Sequence, residues 1–335
     1  NQLPGDEWRL DYLIPLDGNP SEEERPDKVC ERIDAHLKMM GIAADWSYVR
    51  SSTYAPTALS LSTYQTRHVF FVGDAAHLTP IFSGRGMNHG IEDVLNLCWK
   101  LAGVIHGAYE PELLESYTKE RRAALQNTLD ALTKTTEFMI AKSPGSRLMR
   151  RAALALALRK PAFQRLFEPF QLTEFIYDDS PLNGALSREL EFGDGGPRAG
   201  AYVPSLVIRA RTGQVWQESD LFRLTGGGAI GVYFGKGQDF DCPVLAGIRQ
   251  AVPHLRIFLV TGAEDDIDYP HVIQDPDAAL REALSADMGT LYLIRPDGVV
   301  AARWKTPDLP EWKSAWSRIQ GETVHFGERG YVSGV

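Results

Sequence analysis

Three cysteines in 335 residues, at positions 30, 98 and 242, are too few and too far apart for a disulfide framework or a CxxC redox pair. A reduced, cytoplasmic setting is the expectation. Positive charge is also short. With 35 Lys and Arg against 44 Asp and Glu, the net charge is −9 at pH 7. That balance argues against nucleic acid or an anionic membrane as the main partner. Neither a signal-peptide pattern nor an apolar run of membrane length occurs in these residues. One literal GxGxxG is present, at Gly226, Gly228 and Gly231, but it leads into an apolar run at residues 230–234. A dinucleotide fingerprint follows a strand and opens a helix, so this one reads as a turn.

What remains is ordinary globular composition, 44% hydrophobic and 24% charged, with length for two or more domains. The informative stretch is residues 69–100. Four apolar residues, Val69 to Val72, read as a short buried strand ending at Gly73. After a loop holding Pro80, Gly84 and Gly86, a helix is expected from about Met87. Ile91, Val94, Leu95, Cys98, Leu101, Ala102 and Ile105 recur at the spacing of one buried helical face. Gly73 permits close approach of a ligand. Asp74 offers a carboxylate suited to paired sugar hydroxyls, and would repel a bare phosphate. The helix start at Gly86, Met87 and Asn88 offers free amides and the positive end of the helix dipole. Polyol on one side and an anionic ring edge on the other describe a flavin.

The run GDAAH at 73–77, Pro80 and GRGMNHGIEDVLNLCWKLA at 84–102 resembles the second flavin motif of single-component FAD-dependent aromatic hydroxylases. These are the para-hydroxybenzoate and phenol hydroxylase family, and the hydroxyphenylpropionate and polyketide hydroxylase branches are the more similar. The resemblance implies that Asp74 binds the ribityl chain and that Gly73 lies near the pyrophosphate. It also implies that the loop of Pro80 and Gly84 flanks the ring, and that the Gly86, Met87 and Asn88 amides meet its N1–C2=O edge. Arg85 stands where the family usually has Gln, adding positive charge near the ring. The implied reaction is hydroxylation of a phenolic aromatic substrate with NAD(P)H and O2 through a flavin C4a-hydroperoxide. No catalytic acid or base is identified, and Pro80 and Arg85 are assigned to positioning the flavin.

The family also carries an N-terminal strand–GxGxxG–helix and a middle motif built on an Asp-Gly pair, and neither motif is identified ahead of residue 69. The expectation is that these residues are the C-terminal part of a longer enzyme whose N-terminal half is its partner. Two rivals are a flavin monooxygenase acting on a polyketide or drug-like ring system, and a non-catalytic association module with a degenerate flavin half.

The expected fold class is α/β. It comprises the C-terminal part of a flavin-binding Rossmann-like domain with a β-sheet substrate-domain remnant, followed by a thioredoxin-like domain. Residues 1–64 would end the substrate sheet, with a strand at residues 7–16 and a helix at residues 21–40. Tyr12, Tyr54 and Phe82 are the candidate substrate contacts, though packing within the sheet is the commoner role for such aromatics. Residues 65–110 belong to the FAD domain and 111–180 to a helical region with a long helix at 112–141. In that helix Glu120, Arg121 and Arg122 read as solvated charges. Residues 143–170 are basic, with an apolar run at 152–158 too short to span a bilayer.

Residues 181–200, rich in Gly and Pro, read as a linker. Residues 201–335 show a β-α-β-α-β-β order closed by the RPDG turn at 295–298. This order resembles the thioredoxin-like C-terminal domain of phenol hydroxylase relatives, which implies packing or homodimer association and no redox chemistry. Cys242 stands at a helix start without a second thiol at CxxC spacing, which weighs against a redox role. His77 and His89 lack a third ligand nearby, so structural roles are expected of them.

Overall fold

The computed structural model describes the chain except for residues 1, 15–17, 55–56, 81–83, 142, 161–162, 164–174, 185, 213–214, 263–266 and 323–335. It divides into two compact units, Asn1–Thr57 and Ala58–Val335.

The first unit is built around helices α1 (Pro20–Glu23) and α2 (Pro26–Met40). The single helix expected here is broken because Pro26 has no N–H to continue it, and instead opens α2. Gly41 ends α2 at φ 69°, a left-handed C-cap. The following extended segment is tied back by Thr53, whose amide and hydroxyl both donate to the Glu24 carboxylate, and by the Ser51 hydroxyl donating to the Glu24 carbonyl. The strand expected at residues 7–16 does not form among the described residues. Trp8 makes one isolated bridge to Gln2, and residues 9–14 have no strand to pair with.

In the second unit, four two-residue strands surround the flavin-like motif: β1 (Leu59–Ser60), β2 (Gln65–Thr66), β3 (Val69–Phe70) and β4 (His77–Leu78). β2 pairs with β3, and β1 with β4, both antiparallel. The buried strand expected from Val69 to Val72 is therefore only two residues long, and Val69 is exposed. Helices α3 (Gly86–Ile105), α4 (Glu115–Ile140) and α5 (Pro144–Ala157) follow. Phe70, Phe71 and Val72 pack on a small core of Tyr64, Ala76, Leu97 and Tyr117.

The face of α3 differs from expectation. His89, Asp93, Asn96, Leu97, Trp99 and Lys100 are buried. Ile91, Val94, Leu95, Cys98 and Ile105 are exposed. Helical periodicity locates the helix, but the side facing the described residues is its polar one, drawn onto charges of α4 and of the C-terminal sheet. Glu120 and Arg121 of α4 are correspondingly buried, at 2% and 1% exposure, and are not the solvated charges expected.

The C-terminal part is a seven-stranded sheet of β5 (Ile208–Thr212), β6 (Val215–Ser219), β7 (Ile230–Phe234), β8 (Arg256–Thr261), β9 (His271–Gln274), β10 (Leu291–Ile294) and β11 (Val300–Trp304). Its order is β11-β10-β7-β8-β9-β5-β6. β7, β8 and β9 are parallel and the outer neighbours antiparallel.

Helices α6 (Pro243–Ala251) and α8 (Leu309–Gln320) contribute Leu245, Ile248, Trp312 and Ile319 to one core. The other core includes Leu280 of α7 (Ala279–Ala283) and Phe192. The turn at 295–298 joins β10 and β11 as expected, with Gly298 at φ 80°. The hairpin β5–β6, strand β9 and helix α8 were not among the expected elements. The glycine-rich stretch read as a linker is packed on this sheet, with Gly184 and Gly200 donating to the Ala301 and Val300 carbonyls.

Candidate functional site

The loop between β3 and α3 begins where Gly73 takes φ +56°, a conformation that favours a residue without Cβ. Residues Gly73–Ala75 form one 3₁₀ turn with exposed Asp74 at its centre. The turn rests on α3 at a glycine–glycine contact, since a Cβ built on Gly90 would lie 3.4 Å from the Gly73 Cα. After β4 the chain passes half-buried Pro80 and exposed Gly84, at φ +60°, to enter α3 at Gly86. Arg85 is the N-cap residue and its side chain does not cap, so the first-turn amides of Gly86, Met87 and Asn88 are left without a side-chain acceptor of that kind. Met87 and Asn88 are exposed.

Gly73, Asp74, Pro80, Gly84, Arg85, Gly86, Met87 and Asn88 thus gather around one helix start. Phe82 lies outside the described residues. Tyr12 and Tyr54 belong to the first unit. There Tyr12 meets His36 edge-on and has the Arg32 guanidinium 5.5 Å from its ring centre. Tyr54 is 47% exposed.

Beneath the turn lies a group that apolar periodicity does not detect. The Asp93 carboxylate is fully buried. One oxygen accepts from the Gly73 amide at 2.9 Å and from His77 Nε2 at 2.8 Å, and the other accepts from Arg121 Nε at 2.7 Å. Burial alone would raise the Asp93 pKa, but the His77 hydrogen bond and the Arg121 charge outweigh it and hold it below the ordinary carboxylate range. The other ring nitrogen, His77 Nδ1, is buried without a partner among the described residues.

Arg121 also donates to the Tyr177 hydroxyl at 2.7 Å, to Glu92 at 2.7 Å and to His89 Nδ1 at 3.1 Å. His89 passes its remaining proton toward Thr128 Oγ1 at 3.0 Å. Burial, helped by the Arg121 charge, lowers the His89 pKa to about 4, so this ring is neutral near pH 7.

The donor set fits a flavin adenine dinucleotide. A carboxylate faces solvent beside a glycine turn, where it can accept from a diol, and the first-turn amides of a 20-residue helix, which the Arg85 side chain does not cap, can receive an anionic ring edge. Gly73, Asp74 and the Gly86–Asn88 amides would hold the group. Asp93, Gly90 and Arg121 are supporting residues that sequence reasoning missed. The only early signal for Asp93 was an ionisable residue flanked by an apolar helical repeat.

Residues 10–132 match the family model for an FAD binding domain. The chain is 29% identical over 278 residues to a 6-methylpretetramide 4-monooxygenase of Streptomyces rimosus, covering 74% of this chain and 45% of that protein. It is 34% identical over 237 residues to a 3-(3-hydroxy-phenyl)propionate/3-hydroxycinnamic acid hydroxylase of Paraburkholderia xenovorans, covering 67% of this chain and 36% of that protein. In fold it is similar to the flavin-dependent monooxygenase PieE, solved with FAD and substrate, at a TM-score of 0.67 and 19% identity over 92% of this chain and 56% of that one. The chain spans about half the length, or less, of the curated relatives it matches. The turn at Gly73 and the helix that receives it therefore lie within FAD-binding-domain sequence related to that of the flavin-dependent aromatic monooxygenases.

Proposed function

We propose that this chain is the C-terminal part of an FAD-dependent monooxygenase that hydroxylates a phenolic or related aromatic substrate at the expense of NAD(P)H and O2. The observation that carries this is the packing of the Gly73–Ala75 turn on α3 at Gly90, near the start of that helix and inside FAD-binding-domain sequence. FAD bound there supplies oxygen activation. The chain's own residues do the holding. Asp74 accepts from the ribityl hydroxyls, and the Gly86–Asn88 amides and helix dipole stabilise negative charge on the ring edge. Pro80 and Arg85 position the ring.

Tyr12, Tyr54 and Phe82 are offered as substrate contacts. An N-terminal half bearing the strand–GxGxxG–helix is the natural cover for the exposed apolar face of α3, since contiguous apolar surface of this kind marks an interface. The mixed C-terminal sheet, with β7, α6, β8 and the β10–β11 hairpin in sequence, supports a thioredoxin-like module that serves association, including a homodimer. The names of the two curated relatives, one a hydroxyphenylpropionate hydroxylase and one a pretetramide monooxygenase, bracket the substrate class between a simple phenol and a polyketide ring system.

The test is Asp74→Ala in the natural full-length protein, followed by gel filtration and a visible spectrum. The expected outcome is loss of bound FAD from the protein peak with the elution volume unchanged. Full yellow colour in the variant would remove Asp74 from the site.

A further inference from the structure

Adjacent residues of α4 point two ways. Arg121 grips Asp93, and through it the Gly73 amide and His77. Glu120, buried beside it, accepts from Arg295 Nη1 at 2.6 Å and Nη2 at 3.1 Å, from Lys100 Nζ at 2.8 Å and from Asn96 Nδ2 at 2.7 Å. Arg295 opens the turn between β10 and β11, is fully buried, and also donates from Nε to Asp297 Oδ1 at 3.0 Å. Lys100, Arg295, Glu120 and Asp297 sum to zero charge, which is what a buried cluster requires.

Three further contacts run the same way. Tyr117 of α4 donates to the Phe71 carbonyl at 2.8 Å, and Thr118 accepts from the Tyr64 amide at 3.1 Å. Tyr177, bonded to Arg121, meets the Tyr202 hydroxyl at 3.3 Å beside the isolated bridge from Tyr202 to Val299. The turn of the C-terminal sheet and the loop at Gly73 are therefore held by successive residues of one helix, through bonds that are buried and charge-assisted.

We propose that Arg295 is a positioning residue for the FAD loop: the C-terminal sheet, by seating Arg295 on Glu120, sets the placement of α4 and hence of the Arg121–Asp93–Gly73 clamp. What the loop holds is FAD on the function proposed above, whereas the coupling is a property of the chain itself. The C-terminal module then has a role in cofactor binding that runs through α4.

The test is Arg295→Gln in the natural full-length protein, read by amide hydrogen exchange and by FAD titration, with Asp93→Asn alone and combined. Exchange at residues 73–77 is expected to rise about tenfold while β7 and β8 amides keep their protection, the scale of one charge-assisted hydrogen bond. The FAD dissociation constant should rise by a similar factor, and Asp93→Asn should absorb most of the effect, so that the double variant is less than additive. Unchanged exchange at 73–77, a rise shared equally by β7 and β8, strictly additive effects, or a loosened loop with unaltered FAD affinity would each overturn the proposal. If Arg295→Gln does not fold, Arg295→Lys retains the charge without the two-pronged contact, and the same two regions are compared. A wild-type protein that takes up no FAD would sink the flavin assignment, while the exchange comparison still decides the coupling.

Discussion

Gly73 separates two reasons for keeping a glycine. An added Cβ would meet nothing nearer than the Gly90 Cα at 3.7 Å, so space does not demand its absence. Its φ of +56° does, because an L side chain in that region costs about 1–2 kcal/mol. Gly73→Ala is therefore expected to destabilise by roughly 1 kcal/mol, and Gly73→Asn by less, since Asn tolerates the left-handed region. Denaturant midpoints of the two variants at one pH check the order. Equal losses would mean that crowding, and not backbone strain, is the cause.

The glycine turn was legible in the sequence because a turn residue stands out from an apolar run. Asp93 was not. Its role depends on Arg121, 28 positions away, and no local pattern distinguishes a carboxylate that will be buried from one that faces water.

At the level of the element, α3 shows what periodicity encodes and what it leaves open. The repeat of Ile91, Val94, Leu95, Cys98 and Ile105 identifies the helix. It cannot say which neighbour covers which side. The described neighbours supply charges, Glu120 and Arg121 from α4 and Arg295 from the sheet, and these bury the opposite face through Asp93, Asn96 and Lys100. The outcome is a helix with Ile91 52%, Val94 45% and Ile105 75% exposed. A row of this kind associates when nothing covers it. The 335-residue chain expressed alone is thus expected to self-associate in sedimentation runs, and Ile91→Lys with Val94→Lys to shift it toward monomer. Monodisperse wild-type chain at tens of micromolar would show that this face does not require a partner.

Elements of the C-terminal sheet divide in the same manner. Uninterrupted apolar runs such as β7, β8 and β10 stood out, as did the Pro-Asp-Gly turn. Among the described side chains of β5 only Ile208 and Ala210 are buried, alternating with Arg209 and Arg211. Its neighbour β6 carries Glu218 at the sheet edge, so this hairpin offers too short an apolar alternation to stand out.

Across the second unit, the buried charges set how stability responds to acid, and they do so in two ranges. His89 is held neutral, with its pKa lowered from 6.5 to about 4 by burial and by Arg121. Between those values the unfolded chain takes a proton that the folded chain refuses, so stability falls as pH drops from about 6.5 toward 4, by up to on the order of 3 kcal/mol from this group. Above 6.5 it contributes no slope. Asp93 and Glu120 act lower. Burial opposes their charge, but His77 and Arg121 for the first, and Arg295 and Lys100 for the second, hold both below the ordinary range. Their stabilisation is present above the unfolded carboxylate pKa of about 4 and is lost only as pH falls below it.

Urea midpoints measured from pH 7 to 3, below the range in which buried Lys100 loses its proton, are expected to hold level to about 6.5, decline to about 4 and then drop more steeply. His89→Gln, which can still accept from Arg121 and donate to Thr128, should remove much of the first decline and leave the second. Loss of both together would place the acid sensitivity of the cluster in a shared opening and not in the titration of His89. Persistence of the first decline in His89→Gln would assign it to another group.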